Sequence, residues 1–477
     1  MSHAVRRVFC HTLGCDKNLV DSEALLGRFA DRGVIATDNP EDADIWILNT
    51  CGFIEAARQD SHEAIAELAE AKEHRTLVVT GCLAQEHGKR IEREFPAVDV
   101  VGGVGEFDRV VSAALAGFAD WLAVPAMEAR YEGLVKRPLL TPGHMAFVKI
   151  SEGCNQGCTF CRIPLIRGKL RSRAVEEITS EVNSLVQGGV SEIQLVSQNT
   201  SDFGRGTGED LESLLAALND IDGLRRIRLL YLYAGLFPAE RALRILEMPR
   251  VAPYLDLPVQ HASRRLLKAM RRPGDPDKAA EFFRTLRRER PDVILRSTAL
   301  LGFPGEEEED VEQLMDFLAE VEFDHLGTYR YSPEADTPAA SLPGRPDDEV
   351  VADREARVLD LQTEISGRRM ASRLGETHDL VVDQILDIGD EDDHDRRREL
   401  ADALLEGEWR DEADYQRACE ILAADGRLAL GRSQHFGYDL DGVVMLPVDD
   451  GVAAGDWMPV TFTGITPWDV WAEPARP

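Results

Sequence analysis

Over most of the chain, short apolar runs alternate with longer stretches whose apolar residues recur at helical spacing. The short runs, bounded by turn residues, read as buried strands, and the longer stretches read as amphipathic helices. Within residues 1 to about 135, strands are predicted over 5–12, 44–49, 76–80 and 98–101. The helices following them cover 19–32, 55–73, 84–94 and 107–116. Repeated strand–helix units form an open parallel sheet covered on both faces. A linker over 131–143, with Pro138 and Pro142, leads to strands at 145–150, 192–198, 226–232, 254–260, 293–302 and 325–332. Six strands with intervening helices fit a partial (β/α)6 barrel rather than a closed eight. A charged amphipathic helix, 347–373, leads out of it. From residue 375 the pattern changes to THDLVVDQILD, RLALGRSQ, GVVMLPV and WMPVTFTGI, short strands suited to a small β-barrel. An acidic, helix-prone insertion at about 388–424 interrupts them. The expected domains are 1–135, 144–374 and 375–477.

Three domains suit a chain of 477 residues, and 44% apolar residues are ample for packed cores. Charge adds more. There are 54 Lys and Arg against 86 Asp and Glu, a net of −32. A protein that grips nucleic acid needs cations to displace counterions, so this balance argues against RNA or DNA as main partner and suits a basic protein. Residues 375–477 alone carry 25 acidic and 8 basic side chains. A nucleic-acid-binding barrel would not have that balance, whereas one that docks a basic protein could. Eight cysteines in so long a chain are no disulfide framework, and their grouping points to metal in a reducing compartment. No apolar signal core opens the chain and no long apolar run follows, so a cytoplasmic protein without a membrane span is expected.

The chemistry concentrates in 151–173, SEGCNQGCTFCRIPLIRGKLRSR, where Cys154, Cys158 and Cys161 are spaced C-x3-C-x2-C. Three thiolates this close can cap three irons of a cubane cluster and leave the fourth open to a substrate or cofactor. A zinc site is the competing reading, but a fourth local Cys or His is missing, with His144 on the wrong side of a strand. The flanking strand and helix put these cysteines on a strand-to-helix loop. There Asn155, Gln156 and Gly157 let the backbone wrap closely round a compact core. Phe160, beside the last ligand, either presses on an adenine or simply packs.

Cys15, Cys51 and Cys82 each fall just past the carboxyl end of a predicted strand, in LGCDKN, NTCGFIEAA and TGCLAQ. Open parallel sheets bind ligands at that edge, beside helix N-termini that lower thiol pKa. The three should therefore converge as a second set of three ligands. Cys10 reads as core and Cys419 as a bystander. The Gly-rich run 102–105 reads as a turn, since no acidic residue follows at the distance a nucleotide-binding loop needs. At the carboxyl ends of the barrel strands, Gln198, Asn199, Gln260, His261, Arg296 and Ser297 are candidates for contacting a cofactor. Gly302 and Gly305 could let the backbone approach an adenine or ribose. Each polar residue could equally make an ordinary strand-end hydrogen bond. Arg162, Arg167, Lys169, Arg171 and Arg173 form a basic patch, either a solvated face or a seat for a carboxylate-bearing ligand.

The 151–173 stretch resembles the radical S-adenosylmethionine (SAM) enzymes. With both cysteine triads placed, nearly the whole chain is similar to the radical SAM methylthiotransferase family, most of all to its ribosomal-protein branch. The resemblance is carried by TLGCDKNLVDSE, NTCGFIEAA, TGCLAQ, residues 151–173, LDLPVQHAS and LRSTALLGFPGE, with GRSQHFGYDLDGVV in a TRAM-type barrel. It implies an α/β chain with a flavodoxin-like N-terminal domain, a radical SAM partial barrel, two 4Fe–4S clusters and SAM as cofactor. It implies that Cys154, Cys158 and Cys161 hold the radical-generating cluster, and Cys15, Cys51 and Cys82 an auxiliary cluster at which sulfur is delivered. One SAM would methylate that sulfur. A second would yield the radical that takes hydrogen from the β-carbon of an aspartate in the twelfth small-subunit ribosomal protein. A β C–H bond next to a carboxylate is far too weak an acid for a general base at neutral pH, so homolysis is the feasible route. The implied partners are that basic protein, a reducing partner such as a flavodoxin or ferredoxin, and a sulfur donor. Three departures stand out: Asp16 where the family usually has Pro, Asn199 where Asp is expected, and the acidic insertion. The rival readings are the tRNA branch of the family, which the acidic C-terminal barrel opposes, a non-catalytic iron–sulfur electron carrier, and a zinc-stabilised scaffold.

Overall fold

A computed structural model describes residues 5–116, 120–122, 137–272, 274–387, 398, 408–423, 426–466 and 468–475. The N-terminal strands are β1 (Arg7–Thr12), β2 (Ile35–Ala36), β3 (Ile45–Thr50), β4 (Thr76–Gly81), β5 (Val100–Gly102) and β6 (Asp120–Leu122), with helices α1 (Asp16–Ala30), α2 (Glu55–Ala71), α3 (Cys82–Glu94) and α4 (Phe107–Ala116). They form one parallel sheet in the order β2-β1-β3-β4-β5-β6. Ile47 and Val78 pack with Leu25, Phe29 and Val111 of α1 and α4. Their neighbours Trp46, Leu48, Leu77 and Val79 pack with Ile65, Leu83 and Ile91 of α2 and α3. Both faces are covered, so every residue of β3 is buried. The sequence reading expected four strands. The two additions, β2 and β6, are too short to carry a periodicity. The first strand begins at Arg7 rather than at residue 5, and α3 begins at Cys82 rather than at residue 84, so Cys82 is itself helical. The part of the linker up to residue 136 lies outside the described residues.

The central unit runs through β7 (Met145–Lys149), the short β8 (Ser151–Glu152) and β9 (Arg171–Ser172), then β10 (Glu192–Val196), β11 (Arg226–Leu229), β12 (Val251–Asp256), β13 (Ile294–Leu301) and β14 (His325–Arg330). Six of these stand side by side and parallel in chain order, β7-β10-β11-β12-β13-β14, as the partial barrel requires. Helices α5 (Ile163–Ile166), α6 (Val175–Gln187), α7 (Leu211–Asn219), α8 (Ala239–Leu246), α9 (Arg264–Ala269), α10 (Pro276–Glu289), α11 (Glu308–Val321) and α12 (Asp348–Ala371) connect and cover the strands. Ile193, Leu195, Ile227, Leu229, Leu255 and Leu295 face those helices in the largest core. Lys149, Gln194, Arg228, Asp256 and Arg296 occupy the alternate positions, on the inner face. The loop 151–173 is closed at its base, where β8 pairs antiparallel with β9.

The C-terminal strands β15 (Thr377–Asp387), β16 (Glu408–Trp409), β17 (Arg427–Arg432), β18 (Val444–Val448), β19 (Trp457–Ile465) and β20 (Val470–Pro474) include five that close on themselves through β15-β17-β18-β20-β19 and back to β15. The closing strand β20 was not foreseen. Most of the insertion 388–424 lies outside the described residues. Its helix α13 (Glu412–Ala423) packs Tyr415, Cys419 and Leu422 onto Leu428, Leu430 and Trp471, so Cys419 contributes to a small core.

This closed barrel docks on the amino ends of the central strands, the end away from the cysteine loop. Arg432 pairs with Glu192 at 2.7 Å, His144 meets Asp383 at 2.8 Å, and Tyr254 donates to Asp441 at 2.6 Å. Among the described residues no helix is long and apolar enough to cross a membrane.

Candidate active site

The first triad sits where β1, β3 and β4, adjacent in the sheet, reach their carboxyl ends. Cys51 and Cys82 follow β3 and β4 directly, while Cys15 follows β1 by way of Leu13 and Gly14. Glycine lets these turns touch. A Cβ on Gly14, which has φ +95°, would lie 3.1 Å from the Cys51 sulfur. A Cβ on Gly52 would lie 2.9 Å from the Leu83 nitrogen, in the next turn. The three cysteines thus occupy one rim, with Cys15 exposed, Cys51 half-buried and Cys82 buried. Burial pushes the Cys82 thiol up to about 12 and also raises Cys51. Such thiols become ligands when a metal's charge replaces their protons, so loading releases protons.

The second triad is held from below. Cys154 N–H donates to Gly168 O at 3.1 Å and Cys161 N–H to Cys158 O at 3.2 Å. Thr159 is anchored to α9 through Met270 O at 2.9 Å and Ala269 O at 3.0 Å. Gln156 N–H points at the Cys154 sulfur at 3.4 Å, and the Arg272 guanidinium lies 3.9 Å from the Cys158 sulfur while stacking over Tyr233. Desolvation pushes the Cys161 thiol up to about 12 and raises Cys154. Arg272 and Tyr233 were missed from sequence, since nothing in RRPGDP or YLYAG marks them.

The loop of the second triad packs on the rim of the first. Ile166, five residues after Cys161, shares a small buried cluster with Cys82 and Val104. Arg162, immediately after Cys161, is ion-paired with Glu86, four residues after Cys82. Glu334, beyond β14, accepts from Glu55 N–H at 2.9 Å and pairs with Arg58 at 2.6 Å at the start of α2.

The basic patch expected from sequence is mostly not a surface. Arg162, Arg167 and Arg173 are buried. Arg167 binds Asp21 and Glu152, and Arg173 pairs with Glu181 at 2.7 Å. Arg162, through Glu86, and Arg167, through Asp21, fasten the central unit to the N-terminal domain, while Arg173 is tied within the central unit; neither reading of the patch anticipated this. Only Lys169 of the five is exposed.

The other candidates scatter. Phe160 packs against the cluster of Met270, Phe303 and Tyr331. Gln198 donates to Glu152 at 2.9 Å, and Asn199 to Asp202 at 3.1 Å, which also takes Gln156 at 3.0 Å. Gln260 has φ +72° and bridges Ala299 in the barrel, and His261 faces Glu306. Ser297 donates to Leu257 O at 3.0 Å. Arg296 is bound by Asp256 at 3.1 Å and by Asp441 of the C-terminal barrel at 3.2 Å, so its charge is used in docking. Gly302 has φ +76°, and a Cβ there would come 2.7 Å from Val351 of α12. The close approach it permits is made to that helix. Gly305 N–H donates to Gly344 O at 2.7 Å.

The donor chemistry fits iron–sulfur clusters. Each triad offers only cysteine sulfur, the first on turns that touch and the second on one short loop, with Arg167 and Lys17 buried by the first and Arg272 beside the second. Among the described residues no three His, Cys, Asp or Glu side chains converge on a single ion. A cubane asks instead for one thiolate on each of three separate irons.

Comparison with known proteins agrees with this geometry. The family model described as "Uncharacterized protein family UPF0004" matches residues 7–103, which hold the first triad, and that of the Radical SAM superfamily matches 148–318, which hold the second. The ribosomal protein uS12 methylthiotransferase RimO of Desulforamulus reducens is 42% identical over 384 residues, 79% of this chain and 86% of the relative. Its counterpart in Clostridioides difficile is 35% identical over 92% of this chain and 99% of the relative. That of Symbiobacterium thermophilum is 36% identical over 98% and 90%. Among solved structures, the radical S-adenosylmethionine methyltransferase TsrM of Kitasatospora setae, with cobalamin and a [4Fe-4S] cluster bound, has a TM-score of 0.51 at 16% identity, covering 70% of this chain and 77% of that one, which shows a common fold. With a relative of this identity matched over most of both lengths, and with each cysteine triad inside a matched segment, the chain belongs to the RimO family of radical SAM methylthiotransferases.

Proposed function

We propose that this chain inserts a methylthio group at the β-carbon of an aspartate in ribosomal protein uS12, with a 4Fe–4S cluster at each cysteine triad and SAM as the second cofactor. The observation that carries the reading is the seating of the 151–173 loop on the first triad's rim, through Ile166 against Cys82 and Arg162 against Glu86. Sulfur insertion needs a sulfur source and a radical source facing one substrate carbon. Bound at this site, the two clusters with SAM supply the sulfur atom and the homolytic cleavage that an unactivated C–H bond requires.

The chain's own residues hold and enclose that region. Cys15 is the exposed member of the first triad, so this side of the rim is open to a substrate. Just past the carboxyl end of β11, Tyr231 carries Lys17, two residues after Cys15, over its ring at 3.0 Å, and Tyr233 carries Arg272, the neighbour of Cys158, at 4.2 Å, so adjacent aromatic rings reach toward both triads. Tyr231 holds φ +59°, a strained conformation of the kind found where a side chain must be aimed. Gln198 and Glu152 on one side, and Gln156, Asn199 and Asp202 on the other, order the polar wall beside Cys154. The net charge of −32 suits a basic ribosomal protein as substrate.

The test is mass spectrometry of ribosomal proteins from cells lacking the gene. Loss of one methylthio group from uS12 supports the reading. Retention of that group, with a tRNA base losing its methylthio group instead, moves the chain to the tRNA-modifying branch. The two-cluster assignment is tested by reconstitution under argon, where about eight irons per chain are expected.

A further inference from the structure

Asn18 touches the turns of all three cysteines in the first triad. Its side-chain amide donates to Leu13 O at 2.9 Å, two residues before Cys15, and to Thr50 O at 3.1 Å, the residue before Cys51. Its carbonyl faces the Cys82 sulfur at 3.6 Å. The same carbonyl accepts from Arg167 Nη2 at 2.6 Å. Arg167 comes from the other triad's loop. Its guanidinium is 2% exposed, and Nη1 contacts Asp21 at 3.1 Å and Glu152 at 3.0 Å. Through the shared Asn18 carbonyl it is brought beside the Cys82 sulfur. Asn18 and Arg167 are thus a single contact between three cysteine turns on one side and the radical-SAM loop on the other.

Two physical consequences follow. Asn18 closes carbonyls that strand ends leave open, and so sets the spacing of the three sulfurs. Arg167 places a fixed cation against cysteinate ligands in a buried, low-dielectric setting. Net charge and hydrogen bonds at cluster sulfurs set reduction potential. Asp21 and Glu152 together balance Arg167 and Lys149, so removing the Arg167 cation leaves this buried group with one net negative charge beside the triad.

We propose that Asn18 and Arg167 act together as a positioning pair for the first triad, Asn18 setting its geometry and Arg167 raising the reduction potential of the cluster it holds while locking that cluster to the radical-SAM loop. The inference rests on the two-cluster reading above, and neither residue is asked to touch substrate.

The experiment uses the full chain with Cys154, Cys158 and Cys161 all replaced by Ala, so that only the first triad can load. Iron content, the electron paramagnetic resonance spectrum of the reduced cluster and its midpoint potential are measured after reconstitution. The parent should hold about four irons per chain. Arg167→Met should shift the midpoint to lower potential, and Arg167→Lys, which keeps the cation, should restore most of it. Asn18→Ala should change the spectrum and reduce iron retention. Asn18→Asp, which keeps the shape but loses the donor, should resemble the Ala variant. A parent that binds no iron overturns the two-cluster reading itself. A loaded parent whose potential is the same in Arg167→Met, or whose spectrum is the same in Asn18→Ala, overturns this inference alone. Should Arg167→Met fail to fold, Arg167→Gln is read in its place: a lowered potential supports the proposal, and the parent potential refutes it.

Discussion

Ile166 lies against Cys82. One belongs to the loop that carries the second triad and the other is a member of the first, and together with Val104 they form a buried cluster of three. Truncating Ile166 to Ala removes most of that contact and leaves a cavity, at a cost of roughly 2–5 kcal/mol. Ile166→Ala is expected to lower the thermal midpoint. It should also lower methylthiolated product more than release of 5′-deoxyadenosine, because only the former needs both triads in register. The two products are quantified together by liquid chromatography in one assay. An equal fall in both would count against the contact as a coupling element.

Gly81 precedes Cys82 with φ +97°, and a Cβ there would lie 2.5 Å from Thr50 O and 2.7 Å from Thr50 N. That backbone belongs to a central strand and cannot retreat. Gly81→Ala is therefore expected to displace Cys82 and cost more than the ~1 kcal/mol of a left-handed alanine alone. Iron should fall from about eight to about four per chain, with cleavage of SAM retained. Iron analysis and the 5′-deoxyadenosine assay check it.

Glu192 is fully buried between Arg432 at 2.7 Å and Arg226 at 3.3 Å, and binds the C-terminal barrel to the central one. Arginine charge beside it holds its carboxyl below the usual range, against the opposing effect of burial. Glu192→Ala leaves three buried arginines, Arg226, Arg228 and Arg432, short of a partner, and about 3–5 kcal/mol of stability should be lost. Denaturant unfolding measures the loss, and limited proteolysis should show earlier release of the C-terminal barrel.

His435 is buried between Phe436 and His378, whose ring centroid is 4.4 Å from its own. Burial, with Arg373, His378 and His325 nearby, drives its pKa well below the ordinary value, against a smaller opposing effect of Asp324. An unfolded histidine titrates near ~6.5. Below that pH the unfolded chain takes up a proton that the folded chain refuses. Stability is then constant above about pH 6.5 and falls on acidification, by up to ~1.4 kcal/mol per pH unit for this group. His378, also lowered by burial, adds in the same direction. His435→Gln should flatten the slope between pH 6.5 and pH 5, read from denaturant midpoints across that range.

What could be read from the chain alone was whatever is local or periodic. The apolar runs of β3 and β4 marked both strands and the side on which Cys51 and Cys82 emerge, because strand position and sheet edge follow from pattern and chain direction. The C-x3-C-x2-C spacing marked a cluster loop, since the ligands are near neighbours in sequence. Only the tertiary structure revealed what the polar residues do. In DKNLVDSE, Lys17, Asn18, Asp21 and Glu23 are buried on α1, where an amphipathic reading keeps only the apolar positions. The partners of Asn18, Asp21 and Glu23, namely Arg137, Lys149 and Arg167, lie more than a hundred residues away. The one visible signal was the crowding of five polar residues, Lys17, Asn18, Asp21, Ser22 and Glu23, into seven positions of one helix. Arg296 likewise reads as a strand-end candidate until Asp441 arrives from another domain. A charge in sequence carries no record of its counter-ion, and burial between domains exists only once the domains have met.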